Sequence, residues 1–201
     1  MNTIARQPNK SRLELHLTCG AMHAAQIPSF VEVCEQVGLK PLLIDLANGE
    51  QKQQPMATTW LRGDLAEAKA EAMALAQWLA RAGMAVLRVK VEAPIQGHEC
   101  LSRPDEYFEW HGKLRMHDAS ALQHLCETHG ARLSRNSLKD EADVRFVTLR
   151  SREPLDRFKA RVAALAGQLE REGWPLLKQD TEICLHDSRE SLDAGWLEAA
   201  A

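Results

Sequence analysis

Glu14 and His16 stand two apart in the stretch ELHLT, and Glu109 and His111 stand two apart in EWHGK. Alternate positions of an extended strand share one face, so each stretch sets a carboxylate beside an imidazole. An unperturbed imidazole titrates at about pH 6.5 and exchanges protons readily near neutrality. His16 and His111 are therefore the candidate catalytic residues. Donors recur at the same alternation: Thr18 past His16, Lys113 and Arg115 past His111, Arg88 and Lys90 in AVLRVKVEA, Thr148 and Arg150 in VRFVTLRS, and Lys178 in PLLKQDTEICLH. With Glu14 and Glu109 they form a candidate binding set for a small anionic guest, a phosphate-bearing molecule being the natural one. A second chemistry uses His16, Glu92, His111 and Glu182 as a two-histidine, two-carboxylate set suited to iron, manganese or zinc. Lys90 and Lys113 beside it oppose a dication, and no cofactor follows from these residues alone.

Strands must carry these groups. RLELHLTCG alternates Leu13, Leu15 and Leu17 with Glu14, His16 and Thr18, a strand with one wet face. Residues 27–38 have apolar positions at helical spacing and a glycine stop at Gly38. LKPLLIDL and PMATTWLRG read as strands around a polar hairpin containing Asn48-Gly49. Asp64 and Glu67 make a capping box for a helix that stops near Gly83, and AVLRVKVEA is the next strand. After the proline-containing segment 94–106 the order begins again: strand YFEWHGKLRMH, a helix from Asp118 to Gly130, strands ARLSRNSL and VRFVTLRS, a helix from Pro154 to Gly173, and strand PLLKQDTEICLH.

The recurrence goes beyond element order. Phe30, Cys34 and Gly38 match Leu122, Cys126 and Gly130 at an offset of 92, while Leu75, Leu79 and Gly83 match Leu165, Leu169 and Gly173 at an offset of 90. The expected fold class is α+β: a tandem duplication of the ferredoxin-like βαββαβ unit, with antiparallel sheets and helices on one face. The expected organisation is a first repeat over 12–93, a linker over 94–106, a second repeat over 107–187 and a C-terminal tail over 188–201. First and last strands of such a unit are neighbours. Glu14, His16 and Thr18 then lie beside Arg88, Lys90 and Glu92, and Glu109, His111, Lys113 and Arg115 beside Lys178, Asp180 and Glu182. If the two charged faces turn toward each other they enclose a cleft; if not, they are solvated sheet held by cross-strand pairs.

Composition limits the functions available. A net charge of −3 gives no case for nucleic acid, and 45% apolar residues is ordinary for a globular chain. The first dozen residues lack the apolar run of a secretory leader, and no stretch approaches the ~20 apolar residues of a membrane span. A cytoplasmic location follows as the expectation, with the five scattered cysteines reduced and mostly packed as small apolar residues. Homo-oligomerisation stays open.

The strings ELH-x-T (Glu14 to Thr18), QPM (Gln54 to Met56), YFE-x-H-x-K (Tyr107 to Lys113), LSRN (Leu133 to Asn136), RFVT-x-R (Arg145 to Arg150) and LD-x-GW (Leu192 to Trp196) together resemble a bacterial family to which no activity is assigned. That resemblance spans nearly the whole chain. His16-Leu17-Thr18 also resembles the H-x-T motif of the two-histidine phosphoesterases, bilobal enzymes whose histidines act as acid and base. The second site departs from it, because Lys113 replaces the hydroxyl residue after His111. EWHGK is similar to the E-x-E-x-K motif of the triphosphate tunnel enzymes, with His111 in place of the middle glutamate. These resemblances imply a phosphate-bearing ligand, and phosphoesterase-like activity with proton exchange between His16 and His111. The competing expectation is a non-catalytic assembly module whose open sheet faces or edges pair with another chain. A metal-dependent enzyme is the third.

Overall fold

A computed structural model describes residues 11–46, 50–98, 100–139 and 141–193. The Asn48-Gly49 hairpin tip and Trp196 lie outside the described residues. The first half runs β1 (Ser11–Cys19), α1 (Ile27–Gln36), β2 (Lys40–Leu46), β3 (Gln53–Gly63), α2 (Leu65–Arg81) and β4 (Val86–Pro94). The second runs β5 (Tyr107–Arg115), α3 (Ala119–Thr128), β6 (Arg132–Asn136), β7 (Val144–Ser151), α4 (Leu155–Arg171) and β8 (Leu176–Asp187). A 3-10 turn over Glu190–Asp193 follows.

The helix ends follow local chemistry. Asp64 and Glu67 cap α2 reciprocally, and Asp118 accepts from the backbone N–H groups of Ser120 and Ala121 at the start of α3. Gly38, Gly83, Gly130 and Gly173 end the four helices with φ of 71°, 82°, 69° and 84°, the left-handed conformation that glycine adopts without a Cβ penalty.

All eight strands close into one antiparallel barrel in the order β1-β3-β2-β6-β7-β5-β8-β4. Within the halves the order is β4-β1-β3-β2 and β8-β5-β7-β6, and the halves join through β4–β8 and β2–β6. The register agrees with the neighbours expected from sequence. Glu14, His16 and Thr18 oppose Glu92, Lys90 and Arg88, while Glu109, His111 and Lys113 oppose Glu182, Asp180 and Lys178. Closure corrects the picture of open faces: the charged faces form the barrel interior, and each strand is paired on both sides. The open faces and edges on which an assembly module was to rest are therefore absent among the described residues.

The helices cover the outside, α1 on β2, α2 on β1 and β4, α3 on β6, and α4 on β5 and β8. Leu13, Leu15 and Leu17 from β1 and Phe108, Trp110 and Leu114 from β5 are fully buried in this outer layer with Phe30, Leu79, Leu122 and Phe158. Burial of each large apolar side chain contributes roughly 1.5–3 kcal/mol. The main apolar core thus lies between barrel and helices, which frees the interior for polar groups. No helix among the described residues is long and apolar enough to cross a membrane.

Candidate functional site in the barrel interior

An eight-stranded barrel is wide enough to be filled by side chains or to hold one small ligand. Here the interior does some of both. A cavity of about 870 Å³ is bounded on one side by apolar Leu42, Ile44, Met56 and Phe146 and on the other by the charged residues of β1, β4, β5 and β8.

The charged wall is a connected network. On β4, Lys90 Nζ lies 2.5 Å from Glu92 Oε1 and 2.6 Å from Glu109 Oε2. His16 Nε2 lies 2.7 Å from Glu92 Oε2, with Glu14 Oε2 at 4.0 Å. His111 Nε2 lies 2.9 Å from Glu109 Oε1, and its Nδ1 lies 2.9 Å from Thr148 Oγ1. The chain of contacts is therefore His16, Glu92, Lys90, Glu109, His111, with Lys90 at its centre. Thr58 Oγ1 donates to Glu14 at 2.9 Å. Arg150 holds Glu109 through Nε at 2.8 Å, and Arg88 holds Asp187 through Nε and Nη2 at 2.8 and 2.5 Å. Tyr107 donates its hydroxyl to the same Asp187 at 2.8 Å, and its ring lies under the Arg150 guanidinium at 5.5 Å.

Burial alone would neutralise these groups; the partners reverse it. Burial pushes the Glu92 carboxyl up, but Lys90 and His16 outweigh it and hold the pKa at about 2. Burial likewise opposes ionisation of Glu109, and Arg150, Lys90 and His111 override it to hold the pKa well below the carboxylate range. The Lys90 ammonium, desolvated yet flanked by Glu109 and Glu92, is held above its ordinary value. For His16, burial disfavours the charge but Glu92 and Glu14 prevail and raise the pKa. Glu182 is the exception. Burial, then Glu92 and Glu14, push its pKa up to about 8.

Ionised Glu92 and Glu109 can only accept, and each sets a carboxylate against an imidazole Nε2. The other nitrogen of each ring is Nδ1. In His111 that atom meets the Thr148 hydroxyl.

Of the residues singled out from sequence, Glu14, His16, Thr18, Arg88, Lys90, Glu92, Glu109, His111, Thr148, Arg150, Lys178 and Glu182 all border the cavity. Lys178 does so from an exposed position, 2.5 Å from Asp180. Lys113 and Arg115 do not border it: Lys113 pairs with Glu141 at 3.2 Å, and Arg115, 66% exposed, pairs with Asp143. The polar side of β5 leaves the barrel after His111, and its last two charged residues meet acidic partners in the loop before β7. The interior cations also differ from the donor set expected. Arg88, Lys90 and Arg150 each already contact two carboxylates.

The metal set is corrected as well. The donors that come within 4.8 Å of one another are Glu92, Glu109 and His111, without His16 or Glu182. Lys90 Nζ sits between those two carboxylates, so an ammonium supplies the positive charge a metal ion would bring, and the residues do not fit a dication.

Asp193, Asp187, Tyr107 and Gln54 complete the interior and were not singled out from sequence as site residues. Asp193 stands in the LD-x-GW string, Gln54 in QPM and Tyr107 in YFE-x-H-x-K, while Asp187 stands in none of the strings.

No protein-family model matches the chain, and no curated protein matches it. Among solved structures it is similar to the acetolactate synthase small subunit from Thermotoga maritima, at 10% identity and a TM-score of 0.30, covering 88% of this chain and 95% of that one. It is also similar to a putative monooxygenase from Fusobacterium nucleatum, at 10% identity and a TM-score of 0.35, covering 92% and 97%. A chlorite dismutase variant from Candidatus Nitrospira defluvii matches at 12% identity and a TM-score of 0.30, covering 88% and 92%. Likenesses this distant carry nothing about the site.

Proposed function

We propose that the barrel interior binds a small polar molecule bearing an anionic, phosphate-type group, and that His16 and His111 exchange protons with it. One observation carries this: a cavity of about 870 Å³ inside the barrel reaches two imidazoles, each backed by an ionised carboxylate. Stability does not call for such an interior. Replacing buried ion pairs by well-packed apolar side chains is often neutral or stabilising by ~1–4 kcal/mol.

The anionic group belongs at exposed Arg12, Lys40, Lys139 and Lys178, which border the cavity. Arg12 and Lys178 lie near the starts of β1 and β8. The uncharged part of the guest then lies along Leu42, Ile44, Met56 and Phe146 and reaches the two imidazoles. In a phosphoesterase-like version the phosphate itself would sit between the imidazoles. The cations there, Lys90 and Arg150, already hold Glu92 and Glu109, so proton transfer on an uncharged group is the better-supported chemistry. We read the whole as a duplicated unit. The two strand orders, the paired glycine stops and the matched E-x-H strands support that reading.

The test is a thermal-shift screen of nucleotides, cyclic phosphates and their unphosphorylated counterparts. A ligand of the folded state raises the melting midpoint by mass action. We expect phosphorylated members to raise it, and His16→Ala or His111→Ala to reduce the shift. A hit whose shift is the same in both variants overturns the site.

A further inference from the structure

One end of the barrel is closed by the chain itself. The Glu190–Asp193 turn brings Leu192 and Asp193 to 1% and 5% exposure. The turn is pinned on several sides: Ser188 Oγ accepts from the Val89 backbone at 2.8 Å, Arg189 pairs with Glu50 at 2.6 Å, and Arg152 pairs with Glu190 at 2.5 Å.

Asp193 enters a built cradle. Its Oδ2 accepts from Arg88 Nη1 at 2.5 Å and from Arg150 Nη1 at 2.9 Å, and its Oδ1 accepts from Gln54 Nε2 at 2.8 Å. The two arginines are prepared alike. Each commits Nε and Nη2 to a carboxylate of the wall, Arg88 to Asp187 and Arg150 to Glu109. Each then presents Nη1 to the same oxygen. Two guanidinium groups and a carboxamide, all buried, thus converge on one carboxylate carried by a short turn near the end of the chain. With both forks held by the wall, the two Nη1 groups and the Gln54 amide are charge-assisted and neutral donors fixed in place around one oxyanion.

We propose that Arg88, Arg150 and Gln54 form a subsite for a small carboxylate or phosphate, which Asp193 fills from within the chain as a tethered substitute. The subsite is separate from the exposed basic residues assigned to the ligand above, and it stands whether or not the two imidazoles transfer protons. When the turn leaves, a free oxyanion takes the place of the Asp193 side chain.

Chemical rescue tests this. Asp193→Ala and Asp193→Ser empty the subsite, and their melting midpoints are followed against acetate and, separately, inorganic phosphate, with chloride at matched ionic strength as control. We expect both variants to melt below the wild type and to be restored saturably by one of the two anions. The expected rise is ~3–6 °C when the anion reaches about ten times its dissociation constant. Rescue by acetate alone assigns a carboxylate, and rescue by phosphate alone a phosphate. Any rise owed to the exposed basic residues is shared by the wild type, whose subsite is already filled, so rescue is read as the saturable rise in the variants beyond that of the wild type. The proposal is overturned if neither variant responds beyond chloride and beyond the wild type, whether it is folded and indifferent or stays unfolded in the presence of both anions.

Discussion

Lys90 Nζ lies 2.6 Å from Glu109 Oε2, although their strands β4 and β5 are separated in the sheet by β8. The contact spans β8 on the inner face of the barrel and ties the first half to the second at the centre of the network. Lys90→Met removes the charge and keeps much of the volume. It leaves Glu92 and Glu109 facing each other across a buried gap. We expect a loss of ~3–5 kcal/mol, the usual consequence of stranding one partner of a buried pair. Urea unfolding measures it. Combining Lys90→Met with Glu109→Gln should cost less than the sum of the two single changes, because the stranded charge goes too.

Glu182 gives the barrel a pH dependence of definite sign. Its pKa of about 8 in the folded state lies above that of an unfolded glutamate, ~4.3. The native state therefore binds the extra proton between those values. The stability from this group is full below that window and is lost as pH rises through it. His16, also raised, loses its contribution above its ordinary value of ~6.5. Glu182→Gln should flatten the fall in melting midpoint between about pH 5 and pH 8.5 and leave the part owed to His16. Parallel curves for wild type and variant would show that Glu182 does not take up this proton.

Gly112 sits in the middle of β5, where a Cβ would come within 2.5 Å of the Trp110 ring and 2.8 Å of Leu176. The strand carries a glycine there because the indole lies along its outer face, with Nε1 donating to Gln179 at 3.1 Å. Gly112→Ala forces a packed ring to move. We expect a cost of ~1–3 kcal/mol by chemical denaturation, with the interior network unchanged.

Much of this arrangement was legible in the alternation of β1, β4 and β5. Once the β-α-β-β-α-β order was read, the first and last strands had to be neighbours, which set the charged residues of β1 beside those of β4 and those of β5 beside those of β8; the register that opposes His16 to Lys90 and His111 to Asp180 came from the structure. Closure did not follow. It depends on β4 pairing with β8 and β2 with β6, contacts between distant parts of the chain that no local pattern encodes. Leu42, Ile44 and Leu46 read as one face of a half-buried strand, which fits an outer layer as well as a cavity wall. The neutralisation of Arg88 was hidden for the same reason: its partners Asp187 and Asp193 lie at the end of β8 and beyond it, where a sequence reads as tail. Arg150 shares Asp193, but its other partner is Glu109, which opposes it across β5 and β7. Lys113 and Arg115 continue the alternation of β5, but the pattern does not reveal that the strand has by then left the interior.

The most direct measurement is a crystal structure of the protein soaked with the phosphorylated molecule that gives the largest thermal shift. We expect difference density within the barrel, with the phosphate against Lys40, Lys139 or Lys178 and the rest of the molecule within hydrogen-bonding reach of His16 or His111. Density confined to the outer surface, with the interior unchanged, would contradict a binding site inside the barrel.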